Sequence, residues 1–169
     1  MIKKAVQDAI NQQITREMYS SNLYLAMAGY YKSINLNGFA NWMRVQAQEE
    51  MMHALKFFDY VLDRGGEVKI GEIQAPPSKW DSPLSAFEDA YKHEQLVSAW
   101  INDLADLAIK ESDHATGILL QWFINEQVEE EASASEIVER LRMAGDSKSG
   151  LFMLDSEMKT RKFIPPPTN

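Results

Sequence analysis

A glutamate and a histidine separated by two residues, Glu50 and His53, have the clearest capacity for chemistry in this sequence. In an α-helix, residues three apart lie on one face about one turn apart, so both side chains point the same way. A carboxylate oxygen and an imidazole nitrogen placed like this suit a divalent iron, manganese or zinc ion. The pattern alone is a weak signal, because Glu-x-x-His also occurs by chance on solvated helices, and it needs partners from other helices.

Composition narrows the classes of function that these residues can serve. The chain has 169 residues, 45% of them apolar, a net charge of −8 and no cysteine. The absence of cysteine excludes disulfides, thiolate metal sites and a cysteine nucleophile, and the negative charge argues against a nucleic-acid partner. No apolar run reaches membrane-spanning length, and residues 1–20 lack the apolar core of a signal peptide. We therefore expect a cytoplasmic protein with no membrane partner.

Apolar residues recur at steps of three and four through most of the chain, which predicts an all-α fold. Gly65-Gly66 and Gly145 are typical helix stops, while Ser82 and Asp113 are typical N-caps, with Pro83 at a first helical position. The predicted helices cover residues 4–34, 38–64, 83–111, 114–144 and, as a short fifth helix, about 147–160.

The long connection over residues 65–81 determines the predicted topology. It contains Pro76-Pro77, has no helical period, and can span about 50 Å when extended, whereas the long helices measure about 40 to 46 Å. We therefore predict a four-helix bundle with one long crossover between helices two and three, plus a short fifth C-terminal helix. One domain, 1–169, accounts for the whole chain, with residues 161–169 and their Pro165–Pro167 run as an extended tail.

Polar residues interrupt the apolar seam near the middle of each long helix. The interruptions are Glu17 on the first helix, Glu50 and His53 on the second, Glu94 on the third, and Gln127 and Glu130 on the fourth. In a bundle of equal helices, mid-helix positions share one depth. We therefore predict that five of these side chains converge: Glu17, Glu50, His53, Glu94 and Gln127.

Burying several carboxylates costs several kcal/mol each unless a counter-charge is present, and few seam lysines or arginines are available here. The acids must therefore be protonated or hold cations. Three acids, one imidazole and one amide can bind two metal ions, with Glu50 bridging them. The alternative is a hydrated polar layer that fixes the register of the bundle, although glutamate is a costly residue for that purpose.

Several motifs carry a resemblance to the bacterial non-haem ferritins over nearly the whole chain. They are Glu17 with Tyr19-Ser20-Ser21 and Tyr24, Ala47-Gln48-Glu49-Glu50-Met51-x-His53, Tyr91-Lys92-His93-Glu94-Gln95, and Leu120-Gln121-Trp122 followed by Glu126-Gln127-x-Glu129-Glu130. The resemblance implies a di-iron ferroxidase centre that oxidises Fe(II) with dioxygen or peroxide. It also implies a hollow shell of twenty-four copies of the chain, with a ferric mineral inside.

The same resemblance implies a role for each residue of the centre. Glu17, Glu50 and His53 would hold the first iron. Glu50 and Glu94 would hold the second, with Gln127 close by. A third iron position would lie near Glu49, Glu126, Glu129 and Glu130. Tyr24 is either an ordinary seam aromatic or, as the resemblance implies, a hydrogen-bonding residue near the metals that can supply an electron. Iron is then the substrate and not a fixed cofactor.

Three other interpretations stay open at this point. Bacterioferritins place a haem-binding methionine where Met51 stands, but they repeat Glu-x-x-His on the fourth helix, where this chain has Gln127 and Glu130. We therefore predict that no haem binds. A di-iron peroxidase or oxygenase working as a small oligomer is the second interpretation, although rubrerythrin-like proteins usually add a cysteine-bound iron domain. The third is a non-catalytic bundle that only sequesters iron.

Three further polar residues are predicted to lie on the protein surface and to have no role in metal binding. His93 lies about 100° from Glu94 on its helix, so we expect it to face outward. His114 stands at a turn and should lie on the surface. Glu131 is expected to belong to a solvated acidic face.

Overall fold

The computed structural model describes residues 1–164 and folds them into five α-helices. The helices are α1 (Lys4–Ser33), α2 (Asn37–Asp63), α3 (Pro83–Lys110), α4 (His114–Ala144) and α5 (Lys148–Met158). Each lies within two residues of the helix predicted from periodicity. Residues 161–164 are non-helical, and the predicted extended run at Pro165–Pro167 lies outside the described residues.

Local side chains set the ends of these helices, as the sequence predicts. Ser82 and Ser85 form a reciprocal capping box at the start of α3, with backbone-to-hydroxyl distances of 3.0 and 2.9 Å. Asp113 accepts a hydrogen bond from the Thr116 amide at 3.2 Å and caps α4. After α2, Gly65 takes a positive φ of 67°, a conformation that strains other residues.

Aromatic contacts between helices establish the topology. The rings of Tyr31 and Phe39 lie 5.3 Å apart beside the short turn, so α1 and α2 run antiparallel. Phe39 also contacts Phe87 near the start of α3, at 5.7 Å, while Phe57 and Ile101 share a core cluster at the other end. Helices α2 and α3 therefore run parallel, and residues 64–82 cross the length of the bundle. This is the predicted four-helix bundle with one long crossover and a short fifth helix.

The interior is divided into two apolar clusters with polar side chains between them. One cluster includes Tyr31, Phe39 and Phe87, and the other includes Ile10 and Phe57. Buried polar residues from all four long helices lie at the division, at mid-helix positions. They include Gln13, Glu17, Ser20, Ser21, Gln46, Glu50, His53, His93, Glu94, Gln127 and Glu130. None of the helices within residues 1–164 is long and apolar enough to span a bilayer.

Candidate metal centre

Helices α1 and α2 bring Glu17, Glu50 and His53 together in the buried polar layer. One ligand atom from each of the three lies within 4.8 Å of the other two, and all three side chains are at most 2% exposed. The hydroxyl of Ser21 donates to the Ala47 carbonyl at 2.8 Å and joins the two helices at this level. Two carboxylates and one imidazole at such distances are suited to an iron, manganese or zinc ion.

A glutamine stands one turn before each of the two acids and donates to it. Gln13 Nε2 lies 2.7 Å from Glu17 Oε1, and Gln46 Nε2 lies 2.9 Å from Glu50 Oε1. The other oxygen of Glu17, Oε2, is buried without a hydrogen-bond partner among the described residues. Because an unpartnered buried carboxylate oxygen is costly, this atom would be stabilised by a cation.

Helices α3 and α4 supply Glu94 and Gln127, which are arranged differently. Tyr24 of α1 donates its hydroxyl hydrogen to Glu94 Oε1. The amide nitrogen of Gln127 lies 3.2 Å from Glu94 Oε2, and also 3.2 Å from the Glu94 carbonyl. Both oxygens of Glu94 therefore already have donors, in contrast to Glu17.

Glu50 and His53 behave as an ion pair, with His53 Nδ1 3.5 Å from Glu50 Oε2. Burial lowers the pKa of His53, but its hydrogen bond to Glu50 and the charges of Glu50 and Glu17 outweigh burial and raise the value to about 10. Burial alone would raise the pKa of Glu50, yet bonding to His53 and Gln46 holds it below the ordinary value. The pair is therefore charged at neutral pH.

Burial shifts the other three acids of this layer toward the neutral form. Burial and the charge of Glu50 raise the pKa of Glu17 to about 8 and that of Glu130 to about 7. The same two causes raise the pKa of Glu94 well above its ordinary value. Shifts of this kind, in side chains that share one buried layer, are typical of functional sites. A bound cation would favour the ionised form of all three acids.

A cavity of about 320 Å³ adjoins the cluster on the side of α2 and α4. His53, Glu126 and Glu130 form a second group there whose ligand atoms lie within 4.8 Å of one another. Glu49 and Glu129 also line the cavity. The four acids predicted for a third iron position therefore border one cavity, and His53 belongs both to the first cluster and to the lining of this cavity.

The prediction that His93 faces outward is wrong. The side chain is only 8% exposed, and its Nε2 lies 2.7 Å from Ser20 Oγ. Tyr24 packs edge-on against the ring at 6.1 Å. The reason is lateral packing: α3 contacts α1 as well as α4, so a residue turned 100° from the seam faces a second helix. Burial lowers the pKa of His93, which favours the neutral ring.

Surface positions were also predicted for His114 and Glu131, and only the prediction for His114 is confirmed in full. His114 lies on the surface as predicted. Glu131 is half-buried and accepts a hydrogen bond from Ser98, so it is less solvated than expected. Sequence reasoning also missed Gln13 and Gln46, although a glutamine four residues before each acid was a readable signal.

Comparison with known proteins identifies the family. A family model described as a ferritin-like domain matches residues 7–144. The chain belongs to the ferritin family. It is 46% identical over 161 residues to a bacterial non-heme ferritin of Bacteroides fragilis (strain 638R), which covers 95% of this chain and 100% of that protein. The corresponding ferritin of Escherichia coli O157:H7 is 38% identical over 160 residues, covering 95% and 97% of the two chains.

Solved structures extend the likeness to the whole fold. An Archaeoglobus fulgidus ferritin engineered into a closed form superimposes with a TM-score of 0.96 at 52% identity, covering 97% of this ferritin and 100% of that chain. An open pore ferritin of the same archaeon gives a TM-score of 0.94 at 53% identity, covering 95% and 98%. This ferritin is thus an iron-storage protein of a family whose members are ferroxidases and form homo-oligomeric shells. Its Glu–His cluster is consistent with a ferroxidase centre.

Proposed function

We propose that the chain oxidises Fe(II) at a di-iron centre within each subunit and stores the product as ferric oxyhydroxide. The store would be a hollow shell of twenty-four copies of the chain. The observation that carries the proposal is the buried group Glu17, Glu50 and His53, in which one carboxylate oxygen lacks a partner among the described residues. A purely structural polar layer would satisfy that oxygen with a hydrogen bond.

The residues of the centre divide between two iron positions. Glu17, Glu50 and His53 would hold the first iron, and Glu50 would bridge to the second. Glu94 would hold the second iron from the opposite side, with Gln127 beside it. Supporting this division, Glu94 and Gln127 lie together across the layer from the first group, hydrogen-bonded at 3.2 Å.

The ligand set favours oxidation because hard carboxylates stabilise Fe(III) over Fe(II). Two Fe(II) ions lose one electron each, and dioxygen takes both electrons and two protons to form hydrogen peroxide. With peroxide as oxidant, two electrons and two protons yield two molecules of water. Tyr24, bonded to Glu94, is placed to supply a further electron. Iron is the substrate, so the centre must also release it.

Release would proceed through the adjoining cavity. The third iron position would be formed by Glu49, Glu126, Glu129 and Glu130, which all line that cavity. His53 belongs to both the first cluster and this second group. An iron ion moving outward from the centre would therefore stay within reach of the His53 imidazole. One histidine and one amide among the ligands hold the product loosely enough for it to leave.

The remaining parts of the proposal concern setting and partners. The protein would act in the cytoplasm on iron and dioxygen, with copies of itself as protein partner and neither nucleic acid nor membrane. No haem would bind at Met51, which is 36% exposed on the single chain and would pack against neighbouring helices or subunits. A stoichiometric haem band that copurifies and disappears in Met51→Leu would contradict this.

Native mass measured together with oxygen uptake tests the proposal. We expect a particle close to twenty-four chains of 19.3 kDa. The first additions of Fe(II) should consume one dioxygen for every two iron ions. A small oligomer that consumes oxygen would indicate a di-iron peroxidase or oxygenase instead. Iron uptake without oxygen consumption would indicate sequestration only.

A further inference from the structure

The chain following α5 returns to α2 and places Arg161 at the cavity beside the centre. Asn41 fastens this C-terminal segment, residues 159–164. Its Nδ2 donates to the carbonyls of Met158 at 3.2 Å, Lys159 at 3.4 Å and Arg161 at 3.0 Å. The Arg161 side chain then reaches along α2 and lines the cavity that holds the proposed third iron position.

The guanidinium of Arg161 makes several contacts, all with α2. It forms an ion pair with Glu49, and the two side chains are 22% and 21% exposed. It donates to Gln46 Oε1 at 2.8 Å. Its central carbon lies 4.1 Å from the centroid of the Trp42 ring, a cation–π contact that holds the planar group in place.

Gln46 links this guanidinium to the carboxylates of the centre. Because its oxygen accepts from Arg161, its amide nitrogen faces the opposite way. That nitrogen donates to Glu50 at 2.9 Å and to Glu130 at 2.7 Å. Arg161 therefore contacts one acid of the proposed third position directly and reaches a second, as well as the bridging Glu50, through one fully buried amide.

We propose that Arg161 is the resident counter-cation of the third iron position, an inference that rests on the function proposed above. Without iron in the cavity, the guanidinium balances Glu49 and orients Gln46 toward Glu50 and Glu130. An iron ion arriving at Glu49 must displace that ion pair and bind beside a retained positive charge. Arg161 thereby weakens the third position and speeds the passage of iron out of the centre.

A purely structural role for Arg161 makes a different prediction. As a fastener of the C-terminal segment, Arg161 would act like Asn41, and loss of either would have the same effect. The two residues differ in charge: Asn41 is neutral, and its side-chain nitrogen donates to backbone carbonyls and not to an acid of the cavity. Arg140 is a second control: it pairs with Glu157 of α5 at the protein surface, away from the cavity.

Calorimetric titration of the metal-free assembly with Zn(II) tests the inference. In Arg161→Gln the third, weakest site should tighten about tenfold, because a unit charge a few ångströms from the ion is removed. The two tighter sites should stay within about twofold. Arg161→Lys keeps the charge, so its third site should stay within about threefold of the parent. Asn41→Ala and Arg140→Gln should leave all sites within about twofold.

A second arm tests the route through Glu49. In a Glu49→Gln background, Arg161→Gln should tighten the third site by less than in the parent background, because the ion pair is already gone and only the repulsion between the guanidinium and the ion is removed. Parent-like affinity in Arg161→Gln would overturn the inference, as would equal tightening in Asn41→Ala. Arg161→Lys serves as the test if Arg161→Gln does not assemble. Because lysine keeps the positive charge, a third site that tightens about tenfold in Arg161→Lys would also overturn the inference. If the parent protein itself shows no pair of tight Zn(II) sites in the titration, the proposed di-iron centre is refuted instead.

Discussion

The two sides of the buried layer differ in how ready they are to receive a metal ion. On the side of α1 and α2, Glu17, Glu50 and His53 present ligand atoms within 4.8 Å of one another. On the side of α3 and α4, the two oxygens of Glu94 are occupied by hydrogen bonds from Tyr24 and Gln127. On the first side, ligand atoms are close together and one carboxylate oxygen has no hydrogen-bond partner among the described residues. On the second side, hydrogen bonds already occupy both carboxylate oxygens.

Electrostatics reinforce that difference. The pKa of His53 is raised to about 10 and that of Glu50 is lowered, so the first side already carries separated charge. Burial raises the pKa of Glu94 well above its ordinary value, with the charges of Glu50 and Glu130 adding to the shift. A metal on the second side must therefore bind a carboxylate whose ionised form is disfavoured by burial and by the neighbouring charges.

This difference implies that the two proposed iron positions are not equivalent. In the proposed centre, the first ion would bind to a preformed group and replace the protons of His53 and Glu17. It then lowers the cost of ionising Glu94, because a nearby cation favours the charged carboxylate. We therefore expect sequential binding, in which the first ion prepares the position of the second.

The largest expected effect comes from destroying the first side. In Glu50→Ala/His53→Ala the initial rate of Fe(II) oxidation should fall by about 100-fold or more, because the bridging carboxylate and the only imidazole of the cluster are lost. Stopped-flow absorbance measures the rate, and native mass shows that the particle still assembles. His114→Ala, which removes an exposed histidine from the start of α4, should leave the rate unchanged. A double variant within twofold of the parent rate would rule out this side as the place of oxidation.

Adding a negative charge to the second side should reduce the difference in affinity between the first and second metal ions. Gln127→Glu places a carboxylate beside Glu94, so the second Zn(II) ion should bind about tenfold more tightly in calorimetry. The centre should also empty more slowly between successive additions of Fe(II). Gln121→Glu adds the same charge at an exposed position of α4 and serves as the control. Tighter binding of the first ion alone would show that Gln127 does not face the second position.

A smaller change is expected when the hydrogen bond from Tyr24 is removed. Tyr24→Phe leaves the Glu94 carboxylate without one donor, so the ionised form is less stable and the second ion should bind about fivefold more weakly. The first ion should be affected less than twofold. Tyr30→Phe, a half-buried tyrosine of the same helix, is the matched control. If the affinities for the first and second ions fall equally, Tyr24 acts on both positions and not on the second alone.

The smallest effect is on the stability of the metal-free protein as a function of pH. The folded-state pKa values of Glu130, Glu17 and His53 are raised to about 7, 8 and 10. A raised value means that the folded state binds more protons than the unfolded state, so stability falls as pH rises through this range. The melting temperature should drop by at least several degrees between pH 6 and pH 9.

Glu17→Gln provides the control for that pH dependence, because it keeps an acceptor for Gln13 and removes the titration of Glu17. Its melting temperature should fall less than that of the parent over the same pH range. Saturating Zn(II) should also reduce the fall, since a bound cation replaces the protons. A parent melting temperature that rises from pH 6 to pH 9 would mean that the buried acids are ionised without penalty.

The helices could be predicted from the sequence because local chemistry decides where they end. Ser82 with Pro83 begins one helix, and Gly65 and Gly145 terminate two others, each through interactions within a few residues. The depth of the polar layer was also predictable, since the helices are nearly equal in length and their interruptions lie at mid-helix. Topology followed from the length of the connection between α2 and α3.

The internal arrangement of the layer could not be predicted in the same way. Periodicity places Glu94 on the seam, but it does not show that Tyr24 and Gln127 already satisfy both of its oxygens. The burial of His93 depends on lateral contact between α1 and α3, which a single-helix pattern does not contain. Arg161 reaches the cavity only because the chain turns back along α2 after α5, and no periodic signal marks that path.

The order of metal binding is the most direct test of the account. Crystals of the metal-free protein, soaked with one Zn(II) per subunit, would show the occupied position by anomalous scattering at the zinc edge. We predict zinc at Glu17, Glu50 and His53, with Glu94 still bonded to Tyr24 and Gln127, and a second ion at Glu94 only when more zinc is supplied. Equal occupancy of both positions at one equivalent, or zinc at Glu94 first, would contradict the account.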